Sequence, residues 1–413
     1  VERMAERNGM NMDQSLFTKE ALANYRRGDF LDLLRAYDKI SDYVRTPIDV
    51  TDLIFDYLRR CHEEGAIYIE LGLSPDHLKK GRTTYDAAVL GGDASSESSP
   101  NLEYAAFVNA AVKGIDKARK QFGIEARLLM ILLRHNVDIK GALEQDLETI
   151  LGYLHPYVVG IGLAGDEERF PPERFAELYK KAKAAGLKVT AHAGEHAGPD
   201  MVKKAVECLN LDRISHGVKA SESTEVLDLI KERGIGLEIC PTSNFELKVY
   251  AKDEHPLRGI FEYGIPISIN SDDPSFFDTT LGQQWTLSQE LWRLSDAQMI
   301  HICRQSIQMS FAEAPLKAML LAKVDLYEAF QQAKAEVLTE AVKERLKHYE
   351  KSQSDKPLNE ILSLLEGQTQ RDVFETLKQH HFDLYKAQSS YHASVERMHY
   401  NFMPSSINVK AIM

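Results

Sequence analysis

Four short runs in the 413-residue chain hold residue types that could do chemistry together: His192-Ala-Gly-Glu195, His216-Gly217, Pro241-Thr-Ser-Asn244 and Asn270-Ser-Asp-Asp-Pro274. They supply two imidazoles and three carboxylates (Glu195, Asp272 and Asp273), each just past a short apolar stretch. Such a set suits a divalent metal with an acid/base partner. Zinc accepts neutral imidazole and carboxylate, and a catalytic site leaves one position open for water. Water bound there reaches a pKa of roughly 7 and becomes a nucleophile near neutral pH. A carboxylate not used as ligand, such as Glu195, is placed to shuttle a proton. Each element also has an ordinary reading: a lone His at a strand end is commonly a hydrogen-bonded structural residue, and Asp-Asp-Pro starts helices well. Four of them in order, all at strand ends, favour the site.

What must position these residues is an alternation of strands and helices. Apolar runs at Ala66 to Leu73, Ala126 to Leu133, Val158 to Ala164, Leu187 to Ala193, Arg213 to Ser215, Ile235 to Cys240 and Pro266 to Asn270 predict seven strands. Amphipathic spacing predicts helices over Ala21 to Arg27, Phe30 to Tyr43, Val50 to Glu64, Glu173 to Ala185, Asp200 to Leu209, Ser223 to Arg233 and Pro256 to Tyr263. That order means βαβ units and a parallel sheet, hence an α/β fold of the (β/α)8 TIM-type barrel class. In such a barrel all strand C-termini converge on one rim, the place of the active site. An eighth strand is expected before residue 1. The barrel is expected over residues 1–333, with a flexible insertion near 91–101 and a helical C-terminal extension over 334–413.

Composition narrows the function classes. Net charge is −12, which favours neither nucleic acid nor anionic lipid as partner. Four cysteines lie far apart with no CxxC pair, which points to a reducing compartment and against a cysteine-rich zinc site. Neither a membrane-length apolar run nor a signal peptide is visible, so a cytoplasmic protein is expected. Gly160-Ile-Gly-Leu-Ala-Gly165 satisfies the dinucleotide fingerprint GxGxxG, but it lies inside a predicted strand instead of opening a helix. Its small residues instead leave room for close approach to the backbone. P-loop, HExxH and cytidine-deaminase patterns are missing.

With these residues in view, the chain resembles the adenosine deaminase family of metal-dependent barrel hydrolases. Leu163-Ala-Gly-Asp-Glu167, His192-Ala-Gly-Glu195, Ser215-His-Gly217, Cys240-Pro-Thr-Ser-Asn244 and Ser271-Asp-Asp-Pro274 match that family in order and spacing. Tyr68-Ile-Glu70, Ser74-Pro75 and Arg134-His135 add to the likeness, which covers roughly residues 1–325. The resemblance implies that His192 and Asp272 are zinc ligands and that Glu195 donates a proton to purine N1. It further implies that His216 orients and deprotonates the attacking water, that Asp273 holds N7, and that the backbone N–H of Gly165 meets N3. The implied reaction is zinc-dependent hydrolytic deamination of adenosine and 2'-deoxyadenosine to inosine and ammonia, in purine salvage, with adenine as the alternative substrate. Adenosine is favoured over adenine on Leu163 to Glu167, although Asn270 to Asp273 and Phe245 to Lys248 lean the other way.

One departure stands out. The family pattern has a His-x-His pair on its first strand, supplying two further ligands. No His-x-His occurs here: His62 falls in a predicted helix, and His380-His381 are adjacent. A catalytic zinc normally needs at least three protein ligands. With valine at position 1, the expectation is a truncated sequence that as written holds zinc weakly and deaminates poorly. The alternative of another class is a binding or oligomerisation protein without turnover, working through the barrel face or the C-terminal helices.

Overall fold

The structure is a computed structural model, described over residues 1–18, 20–21, 30–79, 84, 102–337 and 391. The expected helix over Ala21 to Arg27, the insertion near 91–101 and the C-terminal extension from 338 lie outside these residues, Ala21 and Tyr391 excepted. The chain forms two compact units, Val1–Phe311 and Ala312–Met413.

The first unit opens with helices α1 (Glu2–Arg7), α2 (Phe30–Ser41) and α3 (Pro47–Glu63). The start of α3 is written locally. Pro47 takes the first turn, and Thr46 and Asp49 exchange side-chain and backbone hydrogen bonds as a capping box. Strand β1 (Tyr68–Leu73) follows, then α4 (Tyr104–Phe122), β2 (Glu125–Leu133), α5 (Ala142–Gly152), β3 (Val158–Ala164), α6 (Ala176–Ala184), β4 (Lys188–Ala193), α7 (Pro199–Leu209), β5 (Arg213–His216), α8 (Thr224–Glu232) and β6 (Gly236–Ile239). The unit closes with α9 (Pro241–Glu246), α10 (Leu257–Tyr263), β7 (Ile267–Ile269), α11 (Pro274–Phe277), α12 (Leu281–Leu291) and α13 (Asp296–Met309). All seven predicted strands are present, shifted by one or two residues at most of their ends.

The strands pair in parallel in chain order, β1 to β7. Among the described residues the result is a curled seven-stranded sheet, a TIM-type barrel lacking one strand. Burial explains the composition of the strands: in β2, eight of the nine residues are buried and the ninth is half-buried, as a sheet covered on both faces requires. Helix α4 turns Phe107, Val108, Ala111, Ile115 and Ala118 inward at three- and four-residue spacing. Complete burial of a side chain such as Ile115 contributes about 1.5–3 kcal/mol. Gly160 keeps β3 and β4 close, because a Cβ there would stand 2.5 Å from the Lys188 carbonyl oxygen. The GxGxxG run therefore serves strand packing.

Both edge strands line one cavity of 1290 Å³, with Tyr68 to Gly72 of β1 on one side and Ser268 and Ile269 of β7 on the other. Across the interior, Arg213 of β5 pairs with Glu70 of β1 at 2.5 Å and with Glu238 of β6 at 2.8 Å. Its guanidinium lies 3.5 Å from the centroid of Phe311. The second unit contains α14 (Ala314–Val337), whose Leu316, Met319, Leu320 and Val324 are buried. Among the described residues no helix is long and apolar enough to cross a membrane.

Candidate active site

The strand ends bring together the residues expected from the sequence. His192 lies on β4 and His216 ends β5, and their ring centroids are 5.0 Å apart. Glu195 sits two residues past β4, with an oxygen 3.5 Å from His216 Nε2. Asp272, after β7, reaches to 3.8 Å of the same nitrogen. His192, Gly165, His216, Asp272 and Asp273 all line the 1290 Å³ cavity. His216 and Asp272 have left-handed backbones, with φ of 62° and 54°. The tight strand-to-loop corners thus come with backbone strain at two of the site residues.

Electrostatics follow from this crowding. Burial, then the carboxylates of Asp272, Glu167 and Asp273, hold the Glu195 carboxyl well above the usual carboxylate range, which favours its protonated form. Burial and the neighbouring Asp272 likewise raise Asp273. Burial, then His192 and His196, push His216 well below the ordinary imidazole value and leave it neutral.

The loop that carries Glu195 has its own anchor, to which sequence reasoning gave no role. One carboxylate, Glu167, accepts the backbone N–H groups of Gly194 (2.8 Å), Glu195 (2.9 Å), His196 (2.6 Å) and Ala197 (2.8 Å). Its place in the Leu163 to Glu167 run was the only signal available. Arg134, fully buried, donates to the carbonyls of Phe170 and His192, holding β4 from beneath Gly165. Gly165 itself has φ of 108°, a conformation that suits glycine, and lines the cavity.

The fit to a metal can be judged from the donors. His192 Nδ1 faces the Leu163 carbonyl oxygen at 2.9 Å and must donate to it, so Nε2 keeps a lone pair. That is the outer-nitrogen hydrogen bond typical of a ligating histidine. Together with Asp272 it fits two corners of a zinc site. A second grouping, His216, Cys240 and Asp272, has donor atoms within 4.8 Å of one another. Burial, then the surrounding carboxylates, keep the Cys240 thiol protonated.

Comparisons with known proteins agree with the geometry. A curated adenine deaminase of Sinorhizobium medicae is 33% identical over 299 residues, 72% of this chain and 86% of that protein. The solved adenine deaminase of Arthrobacter aurescens superposes with a TM-score of 0.66 at 28% identity, covering 78% of this chain and 92% of that one. A solved amidohydrolase of Burkholderia ambifaria, with bound Zn, shares the fold at a TM-score of 0.64 and 24% identity, over 78% and 84% of the two chains. The adenosine deaminase family profile matches residues 1–327, and the chain belongs to that family of deaminating hydrolases.

Proposed function

We propose that the chain deaminates adenine, adding water at C6 to give hypoxanthine and ammonia. The observation that carries this is the buried Glu195 carboxyl, raised by burial and neighbouring acids, 3.5 Å from His216, which lines the cavity together with Asp272 and Asp273. Attack at C6 builds negative charge on the ring, and a proton from Glu195 to N1 neutralises it. The raised Asp273 carboxyl suits hydrogen bonding to N7, and the Gly165 N–H suits N3. His192 and Asp272 would hold a divalent metal, whose Lewis acidity makes a water reactive near neutral pH. Adenine is preferred to the adenosine favoured by the sequence motifs because the similar proteins named above, at 33% and 28% identity, are adenine deaminases.

Among the described residues His192 and Asp272 are two of the three or more ligands a catalytic zinc normally needs, so weak metal binding and slow turnover are expected of this chain. Ammonia release from adenine and adenosine, measured side by side with zinc added and bound zinc counted after dialysis, tests the reading. Slow release with adenine ahead is expected. Faster release from adenosine restores that substrate, and purine binding without ammonia makes the chain a binding protein. Stoichiometric zinc with fast turnover overturns the weak-site reading. The lack of a membrane-length helix among the described residues and the scattered cysteines support a cytoplasmic location.

A further inference from the structure

We propose that His255, acting through Asn244, locks His216 with its proton on Nε2, so that His216 meets the reacting oxygen as a hydrogen-bond donor and not as a base. The inference starts from a backbone N–H, which can only donate. Leu257 N–H points at His255 Nδ1, 3.2 Å away, so Nδ1 holds a lone pair and a neutral His255 carries its proton on Nε2. His255 Nε2 lies 3.1 Å from Asn244 Oδ1, which therefore accepts. The other end of the same amide, Nδ2, must then donate to His216 Nδ1 at 3.3 Å. With Nδ1 of His216 occupied as acceptor, the proton of its neutral ring is on Nε2, facing Glu195 and Asp272.

The relay is dry. His255, Asn244 and His216 are 5%, 0% and 2% exposed. Phe245, Tyr250 and Trp292 surround the His255 ring, with centroids 5.4, 5.9 and 5.2 Å away. Burial pushes the His255 imidazole down to about 4, so the ring is neutral at pH 7.

Two imidazoles side by side are thereby given opposite tautomers. His192 offers a lone pair at Nε2, and His216 offers a proton at Nε2. The first suits a metal ligand; the second cannot ligate through Nε2, which removes the His216–Cys240–Asp272 grouping as a metal triad. It also replaces the expectation that His216 deprotonates the attacking water. His255 is a positioning residue: it touches neither substrate nor metal and acts only through the amide of Asn244.

The role of His216 rests on the deaminase reading; the tautomer does not. Long-range ¹H–¹⁵N spectra of the full chain with ¹⁵N-labelled histidine read the tautomer without purine, metal or turnover. His216 is assigned by the signals that vanish in His216→Gln. The expected result is an Nε2–H pattern for His216 in the unsubstituted chain and in His255→Gln, whose amide still donates to Asn244. His255→Phe should move the pattern toward a mixture of tautomers and lower kcat by about tenfold while KM changes less than twofold. If His255→Phe does not fold, Asn244→Leu removes the donor at similar volume and should give the same mixture. An Nδ1–H pattern in the unsubstituted chain, or an unchanged Nε2–H pattern in the variant that folds, overturns the proposal. Ammonia release decides the deaminase reading separately.

Discussion

Glu195 and Glu167 show how position alone separates two carboxylates of one site. Both are buried, but Glu167 is met by four backbone N–H groups while Glu195 faces other acids and an uncharged imidazole. One is a fixed acceptor, and the other is the proton carrier of the proposed reaction. Glu195→Gln should therefore leave purine affinity nearly intact and lower turnover on the order of 10²-fold, read by calorimetry beside ammonia release. Loss of affinity in proportion to turnover would remove its acid role. Glu167→Ala should act first on stability, since each buried N–H left without an acceptor costs about 1–3 kcal/mol. A lowered urea midpoint, with faster amide exchange at residues 194–197, is the expected result; unchanged exchange there would show that the loop holds itself. The roles of His192, Glu195, His216, Asp272, Asp273 and Gly165 could be raised from motifs because each lies in a compact run at a strand end. Glu167 and His255 could not, because their work is done through hydrogen bonds that no spacing announces.

Among the elements, legibility tracked how local the cause was. Val158 to Ala164 was read to the residue, since an apolar run closed by Gly and Asp defines itself. Helix Glu173 to Ala185 proved to be a 3-10 turn, Pro172–Phe175, followed by α6, because Pro171-Pro172 delays regular hydrogen bonding. Helices α4 and α5 add to the expected set of elements. At the start of α3, Asp49 has a side chain fully shielded from water. Burial alone would raise its pKa, but hydrogen bonds from Asn8, Thr46 and the Arg45 and Thr46 backbone bring it below the ordinary value. Arg7 also reaches it at 2.7 Å, tying α1 to α3. A depressed folded-state pKa means stability that is present above about 3.9 and lost as pH falls through the folded value. Asp49→Asn should thus lower the thermal midpoint at pH 7, with the gap to the unsubstituted chain closing below pH 4. A gap that stays constant across this range would mean that Asp49 contributes through shape alone.

Over the first unit as a whole, the sheet is tied across its interior as well as along its ladder. Glu70 accepts from Tyr68 and the Phe311 backbone and pairs with Arg213, so an edge strand, a central strand and the segment after α13 meet at one carboxylate. Glu70→Ala should destabilise by about 3–5 kcal/mol, because Arg213 is left buried with half its counter-charge. Urea unfolding measures this, and a loss under 1 kcal/mol would mean that Glu238 alone suffices. The architecture was legible because seven runs alternate with helices. The cavity between β1 and β7 was legible only as an expected gap, since no local pattern says what two distant edges enclose.

The left-handed backbones of His216 and Asp272 carry a further consequence. Residues held in that region cost about 1–3 kcal/mol, and glycine relieves the cost. Selecting variants for heat resistance alone would therefore favour Gly at 216 and 272, hardening the protein as it erases the site. Asn210, Lys248, Asp278 and Arg293 share that backbone region outside the site, so a screen for activity beside the selection would separate the replacements that erase chemistry from those that only harden the protein.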